Sequence, residues 1–101
     1  MAIVINLTLE GVPVDALDEV NRRLGADQRQ PAGLIVHFAY PVGDAVRIVD
    51  VWADEQAHDA FDDVNDPPRV LAGVLAERGL QPPRLISREV AEIQALVPPV
   101  S

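Results

Sequence analysis

Two side chains in this sequence, His37 and Asp50, have the types and spacing needed to move a proton. They sit in two apolar segments, residues 33–40 and 45–52, joined by Pro41-Val42-Gly43-Asp44. Proline and glycine at that junction signal a tight turn, so the segments read as a β-hairpin. Pairing Phe38 with Val49 and Val36 with Val51 sets His37 directly across from Asp50, and Ile35 across from Trp52. A one-residue slip would separate them. A carboxylate beside a histidine orients the ring and raises its pKa, which suits the imidazole to general base or acid work. The expected catalytic pair is therefore His37, as base, with Asp50 to orient it. Trp52 would wall a ring-bearing ligand, with Asn6 and Tyr40 as hydrogen-bonding partners. The same pair also has a purely structural reading, in which two polar groups satisfy each other inside a dimer and fix strand register.

The remaining polar groups carry weaker signals. Tyr40 and Arg47 fit a rim contact at the open end of the hairpin. His58, with Glu55, Asp59 and Asp62 around it, reads as part of a solvated helix face. With two histidines and no cysteine in the chain, no metal site is expected. The run Asp59, Asp62, Asp63 and Asp66 lacks the glycine and spacing of a calcium loop. No glycine-rich phosphate loop or serine-nucleophile elbow is present, and no cofactor is expected.

The elements that must position these residues can be read from periodicity. Ile3, Ile5, Leu7 and Leu9 alternate with Val4, Asn6 and Thr8, giving a first strand stopped by Gly11 and Pro13. Val14, Leu17, Val20 and Leu24 recur at helical spacing, with Asp15 as N-cap, Arg22 and Arg23 in the last turn and Gly25 as C-terminal cap. Residues 26–31 form a polar loop before the hairpin. Asp54 then caps a helix whose Ala57, Ala60, Phe61 and Val64 share a face. Asn65-Asp66-Pro67-Pro68 interrupts it, and a second helical segment starts at Pro67 and ends at Gly79. A last strand runs from Arg84 to about Ile93, and residues 97–101 read as a tail.

Strand, helix, strand, strand, helix, strand with right-handed crossovers gives an α+β fold. It is the ferredoxin-like βαββαβ arrangement: a four-stranded antiparallel sheet ordered 4-1-3-2, with helices on one face. Residues 1–96 form a single domain. The hairpin places Leu34, Val36, Phe38, Val49 and Val51 on one face, expected to meet the helices. Ile35, His37, Ala39, Ile48, Asp50 and Trp52 take the other, expected to meet a second copy or a guest molecule. A homodimer closing sheet to sheet into a barrel would cover that face.

Composition narrows the function classes. The 101 residues hold 8 Lys+Arg against 16 Asp+Glu, a formal net charge of −8. Such a surface repels phosphate backbones and anionic lipids, so neither nucleic acid nor membrane is an expected partner. The sheet also lacks the aromatic platform of single-strand RNA binders. The apolar run at the N-terminus has no basic stretch before it and reads as strand, not leader. With no cysteine to form disulfides, a cytoplasmic location is the expectation.

The element order resembles that of the dimeric α/β-barrel superfamily. So does the segment Arg47-Ile48-Val49-Asp50-Val51-Trp52-Ala53-Asp54-Glu55-Gln56-Ala57-His58-Asp59-Ala60-Phe61, where a strand ends in Trp and an "E-x-A-x-x-x-F" helix start follows. The resemblance implies a homodimer. It also implies company with antibiotic-biosynthesis monooxygenases that use neither metal nor flavin, polyketide cyclases, haem-degrading enzymes, muconolactone-isomerase-like proteins and members without assigned activity. The haem-degrading branch carries a second Trp near the place of Phe61 and a ligating His where this chain has Val70 and Leu71, so haem is not expected. Two functions follow from the resemblance. One is a cofactor-independent monooxygenase or cyclase acting on an apolar aromatic molecule. The other is a non-catalytic dimeric binding or assembly domain.

Overall fold

The computed structural model describes residues 1–25 and 29–96. The elements are β1 (Ile3–Glu10), α1 (Val14–Leu24), β2 (Leu34–Val42), β3 (Ala45–Trp52), α2 (Glu55–Asn65), α3 (Pro67–Glu77) and β4 (Arg84–Glu92). The strands form one antiparallel sheet in the order β2-β3-β1-β4. This is the ferredoxin-like α+β fold, with the second crossover helix broken into α2 and α3. The expected loop at residues 26–31 falls partly, and the expected tail at 97–101 wholly, outside the described residues. Among the described residues no helix is long and apolar enough to cross a membrane.

Local chemistry explains most boundaries. Gly25 ends α1 at φ 73°, its N–H reaching the carbonyls of Asn21 and Arg22. Asp54 caps α2 by accepting the Ala57 N–H at 2.7 Å. Asp66 takes up the left-handed conformation (φ 46°) between α2 and α3, and Pro67 and Pro68 open α3, where their missing N–H groups cost nothing. Asp15 does not cap α1. Pro13 holds that position, and Asp15 pairs instead with Arg78 at 2.8 Å, tying the start of α1 to the end of α3.

The hairpin register is the expected one where it matters: His37 lies opposite Asp50, Val36 opposite Val51 and Phe38 opposite Val49. It shifts between Leu34 and Val36, so Leu34, not Ile35, faces Trp52. Ile35 is the extra residue of a β-bulge. A second shift between Thr8 and Leu9 leaves Ile86 as the extra residue on β4. Gly33, at φ 82°, starts β2 hard against α2. A Cβ there would stand 2.4 Å from the Ala57 Cβ, so only glycine lets the strand pass.

The sheet faces are the reverse of those expected. The helices pack on the Trp52 side. Leu9 and Val46 join Ala16, Leu17, Val20, Leu71, Val74 and Leu75 in the main core. Ile3, Ile5 and Trp52 form a second core with Ala57 and Phe61 against it. Val36 and Phe38 face away from the helices and are 43% and 46% exposed. The physical reason lies in β1, whose bulky Ile3, Ile5, Leu7 and Leu9 face is the stronger apolar surface. Ile5 pairs with Asp50 and Ile3 with Trp52, so that surface carries the even positions of β3 with it.

Candidate functional site

The helix-facing side of the sheet is not fully filled. A cavity of about 380 Å³ lies between it and the helices. Leu7 and Ile48, cross-strand partners, line its floor, and Leu17, Val20 and Leu71 line it from α1 and α3. Its polar lining is His37 and Asp50 from the hairpin, His58 and Asp62 from α2 and Arg88 from β4. Trp52 and Phe61 form an aromatic wall, ring centroids 5.5 Å apart. Such a pocket, mostly apolar with a few convergent polar groups, is the usual form of a small-molecule site.

His37 Nδ1 donates to the Asp50 carboxylate. The two side chains are 31% and 24% exposed, so the pair is shielded yet reachable. The hydrogen bond to Asp50 raises the His37 pKa above its ordinary 6.5, outweighing the burial that pulls it down. With Nδ1–H committed to Asp50, Nε2 of the neutral ring carries the lone pair. It is the nitrogen available to take a proton.

α2 supplies a second polar group. His58 Nδ1 and Nε2 each lie 3.1 Å from a carboxylate oxygen, of Asp59 and Asp62 respectively. Its ring meets Trp52 edge-on, with centroids 5.6 Å apart and planes at 74°. At 12% exposure the His58 side chain belongs to the cavity wall, not to a solvated helix face. Burial raises the Asp62 pKa above 3.8; Asp50 and Asp59 add to the rise, while His58 and Arg88 oppose it. Among the described residues no group of three or more potential ligands could hold a metal ion.

The five expected site residues do not all converge. His37, Asp50 and Trp52 line the cavity. Asn6 and Tyr40 lie on the opposite face of the sheet, because Asn6 alternates with Ile5 and Leu7, and Tyr40 pairs with Arg47. Arg47 Nη1 donates to the Tyr40 hydroxyl at 3.5 Å, and its Nε donates to Thr8 Oγ1 at 3.3 Å. Among the described residues, neither Asn6 Oδ1 nor Trp52 Nε1, both buried, has a hydrogen-bond partner. The polar residues not foreseen are His58, Asp62 and Arg88. Helical spacing does put His58, Phe61 and Asp62 on one face, at i, i+3 and i+4. Since Phe61 must pack on Trp52, its neighbours follow it inward.

No protein-family model matches the chain, and no curated protein does. Solved structures do. Rv0793 from Mycobacterium tuberculosis superposes with a TM-score of 0.67 at 13% identity, covering 95% of this chain and 98% of that one. NE2512 from Nitrosomonas europaea, a protein of unknown function, is 22% identical with a TM-score of 0.62, covering 99% and 96%. A Deinococcus radiodurans protein with the provisional name antibiotic biosynthesis monooxygenase is 14% identical with a TM-score of 0.62, covering 95% of each chain. At these identities the likeness is one of fold: the chain shares the ferredoxin-like α+β protomer fold of these proteins.

Proposed function

We propose that this chain acts on a small apolar aromatic molecule by proton transfer, in the manner of a cofactor-independent monooxygenase or a polyketide cyclase. One observation carries the reading: the His37–Asp50 pair lines a mostly apolar cavity instead of being sealed in packed core. A base in such a place removes a phenol O–H or an acidic C–H proton and leaves a phenolate or a carbanion, with negative charge delocalised onto carbon and shielded from water. The electron-rich carbon of that anion reacts with dioxygen in an oxygenase, or with a carbonyl of the same molecule in a cyclase. The provisional name of the Deinococcus neighbour supports the first of these routes.

Trp52 is the only tryptophan in the chain and lies in the cavity wall, so its fluorescence reports occupancy directly. Titration with 1-naphthol is expected to quench it saturably. The double variant Leu7→Phe/Ile48→Phe, which fills the floor, is expected to weaken that binding about tenfold or more, a loss of at least ~1.4 kcal/mol. Absence of saturable quenching in the unaltered protein would refute the cavity reading.

The second copy belongs on the other face. Val36, Phe38, Tyr40 and Val42 are each at least 38% exposed there, a continuous apolar strip along β2. Phe38 and Tyr40 stack on each other, ring centroids 6.2 Å apart. Burying such a strip against its symmetry mate is the simplest way to remove it from water. Light scattering is expected to give twice the 10.9 kDa protomer mass. Phe38→Asp should yield monomers, because a carboxylate at the centre of the strip has no partner.

A further inference from the structure

We propose that the cavity holds two proton-transfer centres and an anion anchor, His37 on the sheet, Asp62 on α2 and Arg88 on β4, and that its substrate is an aromatic enolisable acid. The inference rests on the cavity being a small-molecule site and adds to it the class of molecule and reaction. All three residues line the same cavity, from three different elements. Asp50 orients His37. His58 orients Asp62 by engaging Oδ2 at 3.1 Å, and is itself fixed edge-on against Trp52. Oδ1 of Asp62 has no protein partner among the described residues, so one carboxyl oxygen remains for a substrate.

Arg88 supplies the charge argument. It sits opposite Leu7 on the helix side of the sheet and lines the cavity. Among the described residues, Arg22, Arg23, Arg78 and Arg84 each have a carboxylate within 4 Å, while Arg47, Arg69 and Arg88 have none, and of these three Arg88 lines the cavity. A guanidinium on the rim of a mostly apolar cavity, without a carboxylate beside it, suits a planar carboxylate. The aromatic wall of Trp52 and Phe61 suits the ring of the same molecule. Binding feeds back on the acid. Arg88 opposes protonation of Asp62, alongside His58, while Asp50 and Asp59 favour it. A bound carboxylate neutralises Arg88 and leaves Asp62 better able to hold the proton it must give.

The step is redox-neutral and needs no co-reactant. His37 Nε2 takes the proton of an enol O–H. The electron pair of that bond forms the C=O, and the C=C pair takes the proton of the Asp62 carboxyl group at carbon. One O–H bond breaks on the substrate and one C–H bond forms. His37 is left protonated and Asp62 ionised. Their side chains are 31% and 41% exposed, so proton exchange with water resets both.

The test uses phenylpyruvate, whose enol has its own ultraviolet absorbance, with 1-naphthol as an uncharged control for the cavity. The unaltered protein is expected to speed enol-to-keto conversion at least tenfold over buffer. Asp62→Asn should lower kcat more than tenfold with little change in KM. Arg88→Gln should raise KM about tenfold and leave most of kcat. His58→Gln, the loss of a positioning residue, should shift the pH limb that reports Asp62 and spare KM. Asparagine is nearly isosteric with aspartate, so a melt of Asp62→Asn run beside the kinetics separates lost chemistry from lost fold. If 1-naphthol binds but phenylpyruvate is not converted, or if Asp62→Asn keeps full kcat, the proposal is overturned and the cavity reading stands. If 1-naphthol does not bind, both fall.

Discussion

Replacing His37 by asparagine is expected to slow proton transfer in the cavity by about 10²–10⁴-fold, the usual contribution of a positioned general base. Asparagine keeps a donor for Asp50 and roughly the same reach, so the loss reports chemistry, not collapse. The pH dependence gives the sign. His37 works as a base only when neutral, and its hydrogen bond to Asp50 places its pKa above 6.5. On the His37 limb, kcat/KM should therefore rise with pH through a value above 6.5. Asp50→Asn removes the largest cause of that shift and should move the limb to lower pH. Stability runs the opposite way. A histidine whose folded pKa is raised stabilises the fold fully below its unfolded pKa, and the contribution fades as pH rises through the folded one. The melting advantage of the parent over His37→Asn should thus be larger at about pH 6 than at about pH 9, where the ring is neutral in both folded and unfolded chains. A pH-independent difference, or full turnover by His37→Asn, would remove His37 from the chemistry.

Trp52→Ala should be the most damaging single change to stability. The indole is 2% exposed and is the largest fully buried side chain in the fold. It joins Ile3 and Ile5 on the sheet to Ala57 and Phe61 on α2. Truncations of this kind cost about 3–5 kcal/mol, against a total of about 5–15 kcal/mol for an ordinary domain. For a chain of this length each kcal/mol moves Tm by roughly 4–8 °C, so a drop on the order of 20 °C is expected in a circular dichroism melt. Trp52→Phe keeps an aromatic ring against Phe61 and should recover more than half of that loss. A melt of Trp52→Ala within a few degrees of the parent would show that α2 is held by something other than this contact.

The strands, the helix breaks and the hairpin register were legible because each depends on local chemistry. Gly25, Asp54 and the Asp66-Pro67-Pro68 break act within one turn of chain. His37 and Asp50 find each other through a two-residue turn, Gly43-Asp44, that leaves the pairing little freedom. What the hairpin alone does not contain is which side meets the helices. Its valine face and its Trp52 face are both apolar enough to be core. The deciding information lies on β1, about 40 residues away, whose Ile3/Ile5/Leu7/Leu9 face leaves no doubt about where the core is. Once β1 pairs with β3, Asn6 must part from Asp50, whereas Tyr40 parts from His37 by the alternation of β2 alone. His58 and Asp62 were missed for a related reason. An acidic helix face looks solvated until Phe61 is anchored on Trp52, which draws the next two polar positions toward the cavity.

The two bulges, at Ile35 and Ile86, fall on β2 and β4, the outermost strands of the sheet. Pro41 on β2 has no N–H to offer, and β4 carries Arg84, Arg88, Glu89 and Glu92. Neither border can serve as a template for a further strand from another chain. A molecule with so much bare valine and aromatic surface would otherwise be prone to fibrillate at high concentration. Here ribbon-like growth is disfavoured at both margins, as the face-to-face pairing proposed above would require.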